Sequence, residues 1–416
     1  MRIQTILNRV FKCKGFTFGK VTFGKHRGKD VLKIAVKPKG RGLCSKCAKP
    51  APCYDTCKTP REFQFIPFWG ILVFLLYCMR RVKCPEHGVI IEQVPWADGK
   101  HHMTNIYMLF LATWAKRMSW AEVSRCFYTT WQNVFRSVQH VVEYGLAHRS
   151  LEGITAIGVD EISWQRGYQF LTVVYQLNHG VRRLLWIGRD RKAKTLLRFF
   201  RMFGKARSKA LRYICSDMWQ GYVKVIRKKA AQAMHIIDRF HLVANLNKAL
   251  DQVRAGEARN ATCKGWRAAL KHTRWCFLKR EENLTDKQQL KLTDVLKIDM
   301  KSVRAYLLKE SLQVLWEYKY AASAGKFLDR WVTRVRRSRL KPMRVVAEQF
   351  ARFRNEILNW FRADKAYSSG IVEAFNNRIK LVIRKACGFR TYEAIEMALY
   401  HNLGALPEPA VTHRLW

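Results

Sequence analysis

Three acidic residues lie where the sequence predicts the ends of buried or amphipathic elements. Asp160 follows an apolar, β-branched run, Asp217 ends a second strand-like run, and Glu373 lies near the start of a helix-like segment. A buried carboxylate costs free energy unless it is hydrogen-bonded, paired or bound to a metal ion. A strand-end aspartate in a turn is the usual explanation for one such residue. Three together favour a shared role in binding metal ions.

Three converging carboxylates predict a site for two Mg²⁺ ions, and Mn²⁺ could take their place. Hard divalent cations prefer oxygen ligands and retain water molecules. Two such ions ~3.5–4 Å apart activate the attacking oxygen and stabilise the leaving oxygen of an in-line displacement. We therefore expect Asp160, Asp217 and Glu373 to act on phosphodiesters.

Two other acids are weaker candidates for the same ions. Glu161 follows Asp160 directly, and successive side chains of a strand face opposite sides, so we do not expect Glu161 to bind the same ion. Asp238 also ends a predicted strand and competes with Asp217 for the second position. Its strand is expected to lie farther from the first, which favours Asp217.

A second metal site is predicted near the N-terminus, from Cys44, Cys47, Cys84 and His87. Two pairs with two-residue spacers are the spacing of a tetrahedral zinc site. Four protein ligands leave no open position, so the Zn²⁺ would be structural. The alternative is a set of buried free thiols. Three further cysteines leave the choice of four ligands open: Cys53, Cys57 and Cys78.

The segments around the first two acids predict a mixed five-stranded sheet. A strand over residues 155–161 is followed by a hairpin over 167–187, and helices then alternate with two more strands. This succession is the order of the ribonuclease-H-like α/β fold, in which the first and fourth strands are neighbours. We therefore expect Asp160 and Asp217 to meet at one end of the sheet.

The last strongly periodic helix carries the third acid. Its apolar stripe is predicted to pack on the sheet, and it consists of Val372, Phe375, Ile379, Val382 and Ile383. A different face carries Glu373, Asn377, Lys380 and Arg384. An acid followed by an amide and two cations suits a metal site beside a DNA backbone. A solvated polar face with ordinary ion pairs is the alternative.

Residues 103–148 predict helices that resemble a helix-turn-helix. Ser119 begins a capping box, and Thr130 is a predicted N-cap for the next helix. The outer face of that second helix carries Gln132, Asn133, Arg136 and Gln139. Arg, Gln and Asn can bind base edges in the major groove. A plain helical hairpin without a DNA-binding role is the alternative.

Composition restricts the class of protein. The chain has 416 residues and a formal charge of +46, with 49% hydrophobic residues and 14 Trp. This charge favours a polyanionic partner, and double-stranded DNA is the leading one. A ribosomal or membrane-surface protein would not need so large a core. The most apolar stretch, residues 65–79, is shorter than the ~20 residues of a membrane span. We read it as paired strands and expect a cytoplasmic, nucleoid-associated protein that does not bind membranes.

Five segments are predicted along the chain. They are a basic zinc-binding domain (1–98), a helix-turn-helix domain (99–150), the first part of the ribonuclease-H-like core (151–240), a helical insertion (241–364), and the last core helix with the C-terminal tail (365–416).

Four motifs together resemble the landmarks of DDE-type insertion-sequence transposases of the ISL3 family. They are Gly158-Val-Asp-Glu161, Ser216-Asp217 with Tyr222, Asp238-Arg-Phe-His241, and Ser369-Gly-Ile-Val-Glu-Ala-Phe-Asn-Asn-Arg-Ile-Lys380. The N-terminal cysteines and the helix-turn-helix fit the same family. Two features depart from its pattern: a Ser-Gly pair stands where Asn-Gly is commoner, and Cys53 and Cys57 are extra.

The resemblance implies that Asp160, Asp217 and Glu373 are the catalytic triad, with a helical insertion before the glutamate. It implies binding of terminal inverted repeats by the N-terminal modules and a homodimer in the synaptic complex. Water would free a 3′-OH at the transposon end, and this 3′-OH would attack target DNA. Two other functions remain open: a nuclease that stops after cleavage, and a non-catalytic DNA-binding repressor.

Overall fold

The computed structural model describes residues 2–26, 28–99, 101–165, 167–260, 270–367 and 369–410. The chain divides into two compact units. The first unit consists of Met1–Ser150 and Lys380–Trp416, and the second of Leu151–Ile379. None of the described helices has the length and apolarity that crossing a bilayer requires.

The described strands and helices have the following bounds. The strands are β1 Phe16–His26, β2 Lys29–Pro38, β3 Gly42–Cys44, β4 Pro50–Ala51, β5 Cys53–Thr56, β6 Arg61–Phe68, β7 Ile71–Tyr77, β8 Arg80–Cys84, β9 Gly88–Gln93, β10 Ala156–Gln165, β11 Gln169–Gln176, β12 Arg183–Arg189, β13 Tyr213–Ser216 and β14 Met234–Ile237. The helices are α1 Ile3–Val10, α2 Asn105–Ala115, α3 Trp120–Cys126, α4 Trp131–His148, α5 Ala193–Phe203, α6 Lys205–Ala210, α7 Gln220–Lys229, α8 Arg239–Asn260, α9 Arg274–Leu278, α10 Asp286–Leu296, α11 Lys301–Gln313, α12 Ala321–Arg337, α13 Lys341–Arg352, α14 Arg354–Arg362, α15 Ser369–Lys385 and α16 Tyr392–Leu403.

Two sheets form the N-terminal part of the first unit. The first has the order β1-β2-β7-β6, and the second β4-β3-β9-β8-β5. The predicted strand pair within residues 65–79 is confirmed, because β6 and β7 are antiparallel neighbours. The parallel pairing of β2 with β7 was not predicted, nor was α1.

A buried ion pair between β8 and β9 of the second sheet is bonded to Tyr77 of β7 in the first sheet. The Glu92 carboxylate is fully buried, and it accepts hydrogen bonds from the Tyr77 hydroxyl at 2.5 Å and from Arg80 Nε at 2.9 Å. Removing one partner of such a pair strongly destabilises the fold, because the other charge stays buried without its partner. The pair fixes β8 and β9 in register close to the predicted zinc ligands.

The segment predicted to be a helix-turn-helix begins its helices at the expected residues. Ser119 and Glu122 form the capping box of α3, and the Thr130 side chain accepts a hydrogen bond from the Asn133 backbone at the start of α4. Val134 and Val138 of α4 are fully buried, so this face of the helix packs inward.

The second unit contains a five-stranded sheet with the order β12-β11-β10-β13-β14. The first three strands are antiparallel, while β13 runs parallel to β10 and β14 runs parallel to β13. The predicted adjacency of the first and fourth strands is therefore confirmed. The short helix α6 was not predicted.

Helices α8 to α14 follow the sheet, and they confirm that the described part of residues 241–364 is helical. They share an apolar core in which Leu246, Phe277, Leu328 and Phe350 are fully buried. The last of them, α14, packs on the edge strand β14, where the Asn359 side-chain amide donates a hydrogen bond to the His235 carbonyl at 2.8 Å.

Helix α15 packs its predicted apolar stripe on the sheet. Val372, Phe375 and Ile379 are buried, and the Phe375 ring stacks on the Tyr175 ring at 4.6 Å. A Cβ atom added at Gly158 would lie 3.0 Å from Val372 Cγ2. Glycine at position 158 therefore allows α15 to approach β10 closely.

Candidate active site and metal centre

Asp160 lies within β10, not at its end as predicted. The pairing of β10 with β11 continues to Gln165, whereas its pairing with β13 stops at Val159. The correction has a simple physical reason: the two neighbours of β10 end at different places. Asp160 is the first residue beyond the β13 ladder, so it still lies at the sheet end where Asp217 follows β13.

Asp160 is 4% exposed and is held by three groups. The Asn376 side-chain amide donates a hydrogen bond to Oδ2, and the Glu161 backbone amide donates to Oδ1 at 2.8 Å. His241 Nε2 lies 3.6 Å from Oδ1. The Tyr175 hydroxyl in turn donates to Asn376 Oδ1 at 2.9 Å. Sequence reasoning missed Asn376, which lies beside the predicted polar face of α15.

Arg191 connects Glu161 to Asp217, and the expectation that Glu161 does not bind the same ion as Asp160 stays a prediction. Arg191 forms an ion pair with Glu161, and its Nη2 lies 3.4 Å from Asp217 Oδ2. Beyond Val159, β10 has no β13 residue beside it, so side chains from both faces of β10 reach the same sheet end.

Asp238 also belongs to this group. Its Oδ2 lies 3.9 Å from His241 Nε2, and the charges of Asp160 and Asp217 act on it. We refer to Asp160, Glu161, Asp217 and Asp238 as the acid cluster. The expectation that the Asp238 strand is farther from β10 is correct for strand order, but His241 joins Asp238 to Asp160.

Burial and mutual repulsion disturb the titration of this cluster. Burial raises the pKa of Glu161 to about 7, and Asp217 and Asp160 add to the rise against the opposing charge of Arg191. Burial also raises the pKa of Asp238 to about 6. Burial alone would lower the pKa of His241, but the hydrogen bond to Asp160 and the surrounding acids raise it to about 9. His241 is therefore a cation at neutral pH.

Glu373 lies in a neighbouring cavity. It is exposed on α15 and lines a cavity of 290 Å³ together with Asp238 and Ser216. Glu373 and Asn376 are three residues apart, so they are neighbours on the helix surface, and Asn376 contacts Asp160. Within the described residues, the carboxylates of Asp160, Asp217 and Glu373 do not all lie within 4.8 Å of one another.

The donor chemistry of the acid cluster fits hard divalent cations. Its four members offer carboxylate oxygens, the ligands that Mg²⁺ prefers. Two protein cations, Arg191 and His241, lie among these oxygens. The cluster thus already attracts positive charge at positions close to Asp160 and Asp217.

The predicted zinc ligands do meet. Cys44, Cys47, Cys84 and His87 place their ligand atoms within 4.8 Å of one another. The Cys47–Cys84 sulfur distance is 3.7 Å, and the distance from Cys84 Sγ to His87 Nδ1 is 3.6 Å. Zinc bonds of roughly 2.3 Å to sulfur and 2.0–2.1 Å to nitrogen give tetrahedron edges of about these lengths. The group could therefore hold a tetrahedral metal ion.

The two turns that carry these ligands, residues 44–47 and 84–87, are called knuckles here, and bonds within and between them hold their shape. Backbone amides of Cys47 and Lys46 donate to the Cys44 sulfur and lower the pKa of its thiol to about 6. Lys49 of one knuckle forms an ion pair with Glu86 of the other. The extra Cys53 and Cys57 are exposed and, like Cys78, lie outside the four-residue group.

The predicted DNA-binding side chains differ in exposure and in their hydrogen bonds within the protein. On α4, Gln132 and Arg136 are exposed, whereas Asn133 donates to Thr129 Oγ1 at 3.0 Å and Gln139 donates to Glu143 at 2.8 Å. On α15, the three residues predicted to follow the DNA backbone are all exposed: Asn377, Lys380 and Arg384.

Comparison with known proteins identifies the class. The model of the ISL3-type DDE transposase family, described as Transposase, matches residues 157–399. The chain therefore belongs to this transposase family, which implies DNA as the substrate and DNA cleavage during transposition as the activity.

The similar proteins are transposases of particular insertion sequences. The transposase for insertion sequence element IS1557 of Mycobacterium tuberculosis (strain CDC 1551 / Oshkosh) is 30% identical over 392 residues, which cover 86% of each chain. The transposase for insertion sequence element IS1001 of Bordetella parapertussis is 25% identical over 385 residues, which cover 91% of this chain and 93% of that protein.

Proposed function

We propose that this transposase binds the terminal inverted repeats of an insertion sequence and cuts and joins DNA strands at the acid cluster. Asp160, Asp217 and Glu373 would hold two Mg²⁺ ions. The observation that carries the proposal is the register of β10 and β13, in which Asp160 and Asp217 each follow the last pair, Val159 and Ser216, and each contact a protein cation. The strand order β12-β11-β10-β13-β14 supports a ribonuclease-H-like core.

The bound ions would activate the attacking oxygen and stabilise the leaving oxygen at the scissile phosphate. The protein supplies the orientation. Tyr175 holds Asn376, and Asn376 holds one oxygen of Asp160, so this carboxylate keeps a fixed direction. Arg191 and His241 reduce the repulsion between the acids. Both cations are also suitable partners for a phosphate oxygen.

The position of Glu373 supports its role as the third ligand. Asn376 fastens α15 to Asp160, and residues three apart on a helix have Cβ atoms about 5–6 Å apart. Glu373 is exposed, so its side chain is free to turn toward the aspartates when DNA binds. Asp238 is the competing ligand, because it lies in the acid cluster and lines the same cavity as Glu373.

The first unit would provide DNA recognition. A structural Zn²⁺ on Cys44, Cys47, Cys84 and His87 would fix the ends of β3 and β8. On α4, Gln132 and Arg136 are exposed and suit base contacts, and Asn133 and Gln139 could join them by giving up bonds within their own segment. Asn377, Lys380 and Arg384 would follow the phosphate backbone. A homodimer would hold the two transposon ends.

The test is cleavage of a duplex that carries the element's own terminal repeat. Asp217→Asn is expected to abolish cleavage and to leave end binding intact, because it removes a ligand charge without changing side-chain size. Asp286→Asn, which changes an exposed acid on α10, is the matched control. Cleavage by Asp217→Asn at the wild-type rate would remove Asp217 from the site.

Two further measurements separate the remaining alternatives. Loss of cleavage in Asp238→Asn with retention in Glu373→Gln would make Asp238 the third ligand. Joining of a pre-cut 3′-OH end to a plasmid would distinguish a transposase from a nuclease that stops after the first step. A wild-type protein that binds ends without cutting them would be a repressor.

A further inference from the structure

The cavity that Glu373 lines also carries side chains that are not ligands for Mg²⁺. Its walls include three aromatic side chains, Phe240, Trp360 and Tyr367, and two arginines, Arg239 and Arg280. Its volume of 290 Å³ is at the lower limit of small-molecule sites, ~300 Å³. It is therefore large enough for one planar group and too small for a base pair.

The two arginines form a positive site on a cavity wall that also carries Asp238 and Glu373. Neither Arg239 nor Arg280 takes part in an ion pair among the described residues, and the charge of Arg280 acts on Arg239. The Arg239 guanidinium lies over the Trp316 ring at 4.7 Å, which holds it in place at the cavity wall. Two neighbouring like charges are stabilised by an anion, and guanidinium groups favour phosphate oxygens in particular.

The aromatic side chains form a surface on which a ring could stack. Phe240 is 51% exposed, although it lies in the first turn of α8, only three residues after the buried end of β14. Its backbone amide donates to Asp238 Oδ1 at 2.7 Å, which fixes it beside the acid cluster. Tyr367 is held from behind by the Tyr213 ring at 4.7 Å. Aromatic side chains stack on any nucleobase, because every base has a π face.

We propose that this cavity binds a single unstacked nucleotide of the DNA substrate, with its base against Phe240 and its phosphate between Arg239 and Arg280. This inference rests on the proposed function, because Asp238 and Glu373 on the cavity wall place the nucleotide next to the scissile phosphate. An apolar ligand would leave the arginines without a partner, and a simple anion would leave the rings unused. A nucleotide offers a phosphate to the arginines and a base to the aromatic rings.

Photocross-linking tests the proposal at the level of single residues. The probe is a short oligothymidylate with one 5-iododeoxyuridine, mixed with the full-length protein without added Mg²⁺. Mass spectrometry is expected to find the cross-link at Phe240, Trp360 or Tyr367. Phe240→Ala should lower the yield of this cross-link about 5-fold or more, since stacking on one aromatic ring contributes at least that much to binding. Phe240→Trp should restore it.

Matched variants separate the cavity from general attraction to a basic protein. Arg280→Ala should lower the yield, while Arg304→Ala, an exposed arginine on α11, should not. Tyr320→Ala, which removes a 65% exposed ring elsewhere, should also leave it unchanged. The same iodinated base paired within a duplex should cross-link less than the single-stranded probe. Equal yields in wild type and Phe240→Ala, or cross-links only outside the cavity, would overturn the inference.

The two proposals fail in different ways. Asp217→Asn should keep the cross-link although it no longer cuts. Cleavage without a cavity cross-link would remove the nucleotide site and leave the catalytic proposal standing. A cavity cross-link in a protein whose Asp217→Asn variant cuts normally would do the reverse.

Discussion

Asn376 is the side chain through which α15 controls the direction of Asp160. Its amide donates to Asp160 Oδ2, and its own oxygen accepts from Tyr175. We predict that Asn376→Ala lowers the single-turnover rate of end cleavage by about 10–100-fold, the typical cost of losing a residue that orients a metal ligand. Binding of the terminal repeat should not change, because Asn376 is not on the face predicted to contact DNA.

Tyr175→Phe provides the graded control for this prediction. It removes only the donor to Asn376 and keeps the ring that stacks on Phe375. The rate should fall in the same direction but less. A wild-type cleavage rate in Asn376→Ala would show that Asp160 does not need this hydrogen bond.

His401 makes the first unit sensitive to acid. It is buried on α16, and neither ring nitrogen has a hydrogen-bond partner among the described residues. Burial, with the charges of Lys116 and Lys385, lowers its pKa from 6.5 to about 3. The unfolded chain binds a proton near pH 6.5, whereas the native state does so only near pH 3. Stability is therefore complete above pH 6.5 and decreases as the pH falls toward 3.

At pH 5.5 this single group should cost about 1.4 kcal/mol of unfolding free energy. We predict that His401→Phe loses about that much less stability than wild type between pH 7.5 and 5.5, as measured by urea denaturation at both pH values. His179→Gln changes an exposed histidine and should follow the wild-type pH dependence. An unchanged slope in His401→Phe would mean that His401 is protonated in the native state.

At the scale of elements, the predicted zinc site depends on ligand pairs that lie close together in the sequence. Cys84 ends β8 and His87 precedes β9, so the metal would close the turn between two paired strands. We predict that Cys84→Ser protein loses its bound zinc and melts at a lower temperature. Cys57→Ser should keep full zinc content and stability, because Cys57 is exposed and outside the group. Atomic emission and thermal unfolding provide the measurements, and undiminished zinc in Cys84→Ser would remove Cys84 from the site.

The sequence predicted those features that depend on neighbours along the chain. The Ser119 capping box, the zinc quartet and the buried stripe of α15 follow from spacing alone. The adjacency of β10 and β13 follows from the succession of strands and helices. Each of these patterns is complete within a short segment or within one order of elements.

The features that were missed depend on residues far apart in the chain. Glu161 joins the acid cluster only because β13 stops at Ser216 while β11 continues beside β10. Asn376 reaches Asp160 across 216 positions of sequence. Neither the end of a neighbouring strand nor the reach of a long side chain such as Arg191 is encoded in a periodic pattern.

At the scale of the whole molecule, the charge of +46 governs how DNA is bound. Neutralising phosphates releases condensed counterions. For each phosphate contact, the logarithm of the affinity therefore falls by roughly 0.9 for a tenfold rise in salt concentration. We predict that Lys380→Ala combined with Arg384→Ala reduces the slope of log affinity against log salt by about 2. Lys287→Ala with Lys301→Ala, two exposed lysines of the helical segment, should change it little. Fluorescence anisotropy over a salt series measures the slope, and equal slopes in the two double variants would contradict the assignment.

The helices between β14 and α15 have a consequence for solubility. β14 is the last strand of its sheet, and α14 lies on it with Asn359 bonded to the His235 carbonyl. An uncovered strand edge pairs readily with another chain and promotes aggregation. A shortened protein that joined β14 directly to α15 would expose this edge, so it should precipitate even though every proposed catalytic residue is retained. We therefore expect the helical segment to prevent self-association through β14, and a version of the chain without this segment to need another cover for the same strand.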